Sequence, residues 1–243
     1  TRLLTPGSSN PKTAKGESLL WRTMVLHLAP ADLSGRNVCP WSTEGCRTSC
    51  LNTAGRGGIM KRGETTNAIQ QARLRRTHAF FSDRKGFNEQ LLGELVAAAR
   101  TKPGWKLAAR LNGTSDLPWH RSHIVEVLPT VQFYDYTKDA NRCWLWAQGA
   151  LPSNYHLTFS RSETTPDELV KQMVRVGVNV AVVFDKVPDT YLGIPVINGD
   201  ANDLRFRDPK GVIVGLKAKG RAKRDTTGFV VRSNPEGWRE VIA

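Results

Sequence analysis

Short apolar runs that end in polar residues alternate along this chain with stretches of helical periodicity. The runs close at ARLNGTSD (109–116), VQFYDYTK (131–138), YHLTFSRSE (155–163), VAVVFDK (180–186), IPVINGDAND (194–203) and VIVGLKAKG (212–220), and each predicts a strand. A further strand is predicted at Leu19–Leu28, LLWRTMVLHL. Phe87–Arg100 is the clearest amphipathic helix, because Phe87, Leu91, Leu92, Leu95, Val96 and Ala99 fall on one face, and that face should lie on a sheet. Glu64–Ser82 predicts a helix with Thr65 or Thr66 as its cap, and Arg121–Leu128, Asp139–Gln148 and Asp167–Val176 predict three more. The last has Thr165 to cap it, Pro166 for its first turn and Glu168 to close a capping box.

Strands alternating with helices argue for parallel βαβ units, whose polar strand ends converge on one rim. About seven strands are too few for a closed eight-stranded barrel, so the expected fold is α/β, an incomplete or irregular parallel (β/α) barrel, with an open doubly wound sheet as the alternative. Residues 1–243 are expected to form a single domain, with residues 1–18 an irregular N-terminal arm.

One stretch fits neither period. Asn37–Met60, NVCPWSTEGCRTSCLNTAGRGGIM, carries Cys39, Cys46 and Cys50 in the spacing C-x6-C-x3-C among glycines 45, 55, 57 and 58, and reads as a loop at the carboxyl end of the first strand. It is poor in apolar anchors, so a bound group would have to offset its ordering entropy. Three thiolates can hold three corners of a four-iron, four-sulfur (4Fe-4S) cluster and leave one iron for a fourth ligand or a substrate. Zinc, the alternative, usually shows closer paired cysteines with a fourth Cys or His nearby, so the spacing favours the cluster. Cys143, in NRCWLWAQG, reads as a buried helical cysteine and is the fourth ligand if the cluster has four thiolates.

The converging strand ends are the second candidate site. Asp116, Asp135 and Asp200 are its candidate acids and bases, and Asn112, Ser115, Ser160, Glu163 and Asp185 its candidate cofactor-binding residues. Each polar group taken singly reads as a solvated turn or cap. His156 reads as a core residue. No zinc-protease spacing, dinucleotide fingerprint or P-loop is present.

Composition narrows the class. A hydrophobic content of 40% with 23% charged residues fits a soluble globular protein, and no run reaches the length of a membrane span. No signal peptide is evident, which places the protein in the cytoplasm, where four cysteines suggest metal or redox chemistry over a disulfide framework. The net charge of +13 favours a polyanionic partner. Arg73, Arg76, Lys217, Lys219, Arg221, Lys223 and Arg224 could form a positive rim that contacts a phosphate backbone, although solvation alone would also explain them.

The segments LLTPGSSNPKTAKG, CPWSTEGCRTSCLNTAGRG, RLNGTSD, VQFYDYTK, NYHLTFSRSE and GDANDLRFRDPKGVIVGLKAKG resemble the gene product eighty-eight family of actinobacteriophages. That resemblance implies a phage-encoded protein working in the host cytoplasm, and it carries no activity with it. A looser likeness is to radical S-adenosylmethionine enzymes, whose partial barrel bears a three-cysteine cluster loop after its first strand. It implies a 4Fe-4S cofactor and S-adenosylmethionine, but here C-x6-C-x3-C replaces their C-x3-C-x2-C and the glycine-rich cofactor-binding strand end has no clear counterpart. The expected function is that of a cluster-dependent enzyme acting on nucleic acid or a nucleotide-bearing substrate. The alternative is a non-enzymatic protein that binds nucleic acid or a host protein, with a structural iron-sulfur or zinc site.

Overall fold

The computed structural model describes residues 2–100 and 104–233. The first strand, β1 (Leu4–Pro6), lies inside the stretch expected to be an irregular arm, and pairs antiparallel with β2 (Trp21–Leu26). Leu3 and Leu4 are buried, and the Glu94 carboxylate accepts both their amides at 2.8 Å, so this terminus is part of the sheet. Three residues ending in Pro6 are too short to show a period, and the proline is tolerated because the strand is at an edge. The cysteine segment therefore follows the second strand of the chain.

From β2 the sheet grows in chain order through β3 (Lys106–Arg110), β4 (Gln132–Thr137), β5 (Tyr155–Ser160) and β6 (Val180–Phe184), all parallel. The order then changes. A hairpin of β7 (Thr190–Tyr191) and β8 (Ile194–Asn198) forms the far edge, and β9 (Ile213–Lys217) returns between β8 and β6. A short β10 (Val230–Val231) adds to the end of β6. The result is a ten-stranded, mostly parallel sheet that does not close.

The longer helices are α3 (Ala68–Ser82), α4 (Arg84–Arg100), α6 (Ala140–Ala147) and α7 (Asp167–Arg175), with the short α5 (His123–Val127) between them; the four-residue α1 (Pro11–Ala14) and five-residue α2 (Glu44–Thr48) precede them. Phe80, Leu91, Leu95, Ile124, Cys143, Val170 and Met173 share one core with Met24, Leu26, Ala109, Phe133, Leu157 and Val182 of the strands. Helices α3 to α7 thus contribute to a single face of the sheet, unlike the helices of a doubly wound fold. Because strand side chains alternate, the intervening Thr23, Ala108, Arg110, Tyr134, Tyr136 and Thr158 point to the opposite face. Ala108 and Tyr134 meet Leu204 there, with Trp21 and Phe206 beside them.

Two expected caps are replaced. Helix α3 is capped by Asn67, whose Oδ1 accepts Gln70 N at 3.0 Å while its Nδ2 donates to the carbonyls of Gly57 and Ile59. Helix α7 lacks its capping box, because the Thr165 hydroxyl is taken by Ser162 N at 2.9 Å and Glu168 pairs with Arg175 at 2.9 Å.

Candidate metal centre at the cysteine segment

The cysteine segment is more structured than its glycines suggested. Thr43 precedes α2, and Glu163, in the turn that follows β5, holds that start in place: one carboxylate oxygen accepts Gly45 N at 2.7 Å and the other accepts the Thr43 hydroxyl at 2.8 Å. A side chain at Gly45 would run into Thr227, Glu163 and Phe229, and one at Gly58 into the Thr53 carbonyl, so these glycines serve close packing. Arg73 is buried and donates to the Asn52 carbonyl at 3.2 Å and to the Asn52 side chain, two residues beyond Cys50. Ser49 faces Asp225, which also accepts Val230 N at 3.0 Å. Polar clamps therefore supply much of the ordering that the sequence left to a ligand. Glu163→Ala is expected to leave Gly45 N unpaired at a cost of about 1–3 kcal/mol, and to speed hydrogen exchange of the 43–50 amides ahead of the strands. Unchanged exchange there would show that the clamp holds nothing.

The three thiols feel one another. Burial pushes the Cys39 thiol up to about 12, with Cys50 and Cys46 adding like-charge repulsion, while a 3.3 Å hydrogen bond from Ala31 N favours the thiolate. Burial and Cys46 also raise the Cys50 thiol, opposed by the Asn52 amide, Arg73 and Lys138. Cys46 packs on Ala218, Ala222, Phe229 and Val230. Cys143, by contrast, is fully buried within the core between helices and sheet.

Among the described residues, no three His, Cys, Asp or Glu side chains are gathered closely enough to hold a metal ion. A tetrahedral zinc with bonds of about 2.3 Å would need its sulfurs about 3.8 Å apart, whereas a cubane spreads its corner thiolates further. Amide donors to sulfur and the cations Arg73 and Lys138 suit an anionic thiolate-bound group, since such contacts stabilise the charged ligands.

The candidate strand-end residues divide into groups. Asn112, Ser115, Asp116 and Asp135 come together: Asp135 accepts Asn112 N at 2.8 Å, Asn112 Nδ2 at 3.1 Å and the Tyr155 hydroxyl, and Ser115 donates to Asn112 Oδ1 at 2.8 Å. Asp135 follows Phe133 on the helix-covered face, and burial pushes its carboxyl up to about 7 against the hydrogen bonds from Tyr155 and Asn112. Asp116 is tied to Arg142 at 2.9 Å and to Lys138 N at 2.9 Å. These carboxylates hold the β3 and β4 ends together. Ser160 stands on the opposite face, accepting from Lys138 Nζ at 2.8 Å. Asp185 is bonded to Lys186 N and Ser233, and Asp200 to Lys219 Nζ at 2.6 Å, each apart from the first group.

The basic residues also separate. Arg73 is the buried clamp on Asn52, which removes it from the expected surface rim, and Arg76 donates to the Arg2 carbonyl at 3.1 Å. Lys217, Lys219, Arg221, Lys223 and Arg224 are exposed, the last three on a 3-10 turn, Gly220–Arg224, that packs near the segment at 51–54. His156, read as a core residue, is largely buried against Trp146, its ring 5.0 Å away.

One hub escaped the sequence reading. The buried Asp203 meets Lys12 at 2.9 Å, Arg110 at 3.2 Å and the Tyr134 hydroxyl at 3.0 Å on the face opposite the helices. Asp203 closes the polar strand end IPVINGDAND, and Arg110, inside the strand KLAAR, is the visible signal: an arginine there requires a partner.

The fold and site define an open, mostly parallel α/β protein with a clamped three-cysteine segment at the carboxyl ends of its strands. The chain belongs to the Gene product 88 family of phage proteins, whose family model matches residues 2–233. No curated protein and no solved structure matches it. Among the described residues no helix is long and apolar enough to cross a membrane.

Proposed function

We propose that Cys39, Cys46 and Cys50 bind one 4Fe-4S cluster, and that the protein is a cluster-dependent enzyme acting on a nucleotide-bearing substrate. What supports this reading is that one clamped segment carries three cysteines, with Cys39 accepting from Ala31 N at 3.3 Å and the Arg73 guanidinium bound to Asn52 two residues beyond Cys50. A bound cluster would supply one-electron chemistry. Glu163 and Arg73 would fix the ligand segment, and Cys39, against the core, would set the depth of the group. S-adenosylmethionine is the co-substrate suggested by the likeness to radical enzymes.

A second reading, a nucleic-acid- or host-protein-binding protein in which the metal is a structural staple, draws on the exposed basic turn beside the cysteine segment. Iron, sulfide and zinc content per chain after anaerobic preparation tests the shared premise. About four irons and four sulfides are expected, and zinc alone would overturn the cluster. Reductive cleavage of S-adenosylmethionine to deoxyadenosine supports the enzyme, and its absence together with a salt-sensitive shift of labelled DNA or RNA supports the binder.

A further inference from the structure

On the face of the sheet opposite the helices lies a group of polar side chains of which the cluster reading uses only Lys138, the one that acts on Cys50. His27 follows the end of β2, Arg110 is on β3, Tyr136 on β4, Lys138 just beyond it, and Thr158 and Ser160 on β5. The Arg110 guanidinium lies 4.6 Å from the Tyr136 ring centre, and Lys138 donates to Ser160 at 2.8 Å with the Phe229 ring 5.4 Å away. Among the described residues, the buried polar atoms without a partner on this face include Arg110 Nε and Thr158 Oγ1.

The charges do not balance. Asp203 is occupied by Lys12 and Arg110, while Asp116 and Asp135 belong to the network of Arg142, Asn112 and Tyr155. Among the described residues Lys138 has no carboxylate partner, although it is half-buried. The local field is positive: burial first, then Arg73, Arg110 and Arg76, holds His27 down to about 3. Buried charge is normally paired, so an ammonium and guanidinium set with spare donors calls for an anion.

We propose that Arg110, Tyr136, Lys138 and Ser160 form a binding site for a phosphate group of a small-molecule ligand, with Lys138 as its principal charge partner. This deepens the enzyme reading and rests on it for the role of the ligand: the substrate would be gripped by its phosphate beside the cluster, and the exposed turn at 220–224 would have no part in holding it.

The test is calorimetric titration of the full chain, prepared without metal, with inorganic pyrophosphate at low salt. One site is expected, weakened about tenfold or more in Lys138→Met, largely restored in Lys138→Arg, and unchanged when Arg221, Lys223 and Arg224 are all replaced by alanine. Ser160→Ala, which removes one hydroxyl, should weaken it about threefold and provides a second reading should Lys138→Met fail to fold. No binding by the wild-type chain, equal binding by Lys138→Met and Ser160→Ala, or loss of binding in the triple variant of the turn would each overturn the site. Since the titration uses metal-free protein, a chain that never takes up iron would end the cluster reading and leave this measurement intact.

Discussion

Cys39→Ala, Cys46→Ala and Cys50→Ala are each expected to lose most of the iron from protein prepared anaerobically, and with it the broad absorbance near about 400 nm of thiolate-bound clusters. Cys143→Ala should keep both. The contrast follows from placement. Cys39 and Cys50 are held by amide donors at the strand ends, where burial raises both thiols and each feels Cys46. A metal inverts that penalty, because thiolate formation is driven by the bound cation, so binding should release protons and stiffen the segment. Cys143 is 0% exposed and lies among core side chains between helices and sheet, outside the cysteine segment. Iron analysis with the visible spectrum decides the matter. Loss of iron in Cys143→Ala would make it the fourth ligand, and retention of full iron in any of the other three variants would exclude that residue.

Asp203→Ala should produce the largest loss of stability, about 3–5 kcal/mol, since it strands Lys12 and Arg110 on a buried face without their shared counter-charge. Asp203 is 1% exposed, and although burial opposes its ionisation, Lys12 and Arg110 hold its carboxyl well below the usual carboxylate range. Its native affinity for protons is therefore lower than in the unfolded chain. The stabilisation it gives is present above the ordinary carboxylate value of about 3.9 and is lost as pH falls below it. Urea unfolding at neutral pH measures the loss directly. A change below about 1 kcal/mol would mean that the hub is no more than a surface ion pair in its energetics. Lys12 comes from α1 and Asp203 from the turn after β8, so this one carboxylate joins the N-terminal segment to the far side of the sheet.

Much of the architecture was legible because it rests on local periodicity. The strands ending near Arg110, Thr137, Ser160, Phe184, Asn198 and Lys217 and the helices α3, α4, α6 and α7 are where apolar spacing places them, within a few residues. The parallel arrangement follows from their alternation, since a helix between strands returns the chain to the same end of the sheet. That the cysteine segment follows a strand was readable from its place in the chain, but the contacts from Glu163, Arg73 and Asp225 that order it were not. Strand β1 was not, for three residues carry no period, and its place depends on Leu26 as a partner and Glu94 as a cap. Nor was the order β6-β9-β8, which is a choice of neighbour made by packing.

The sequence by itself determined the inventory: a parallel α/β chain, strongly basic, with three clustered thiols and polar strand ends. Tertiary structure alone decided what each polar residue does. Arg73 became a buried clamp on Asn52, Asp135 and Asp116 became struts of the β3 and β4 ends, and Asp203 paired with Lys12 across 191 positions of chain, whereas Lys138 was left with a hydroxyl and a ring but no carboxylate among the described residues. The physical reason is the same in each case. A charge in water is satisfied wherever it stands, but a charge removed from water takes its role from the groups packed around it, and those come from parts of the chain that local pattern cannot connect.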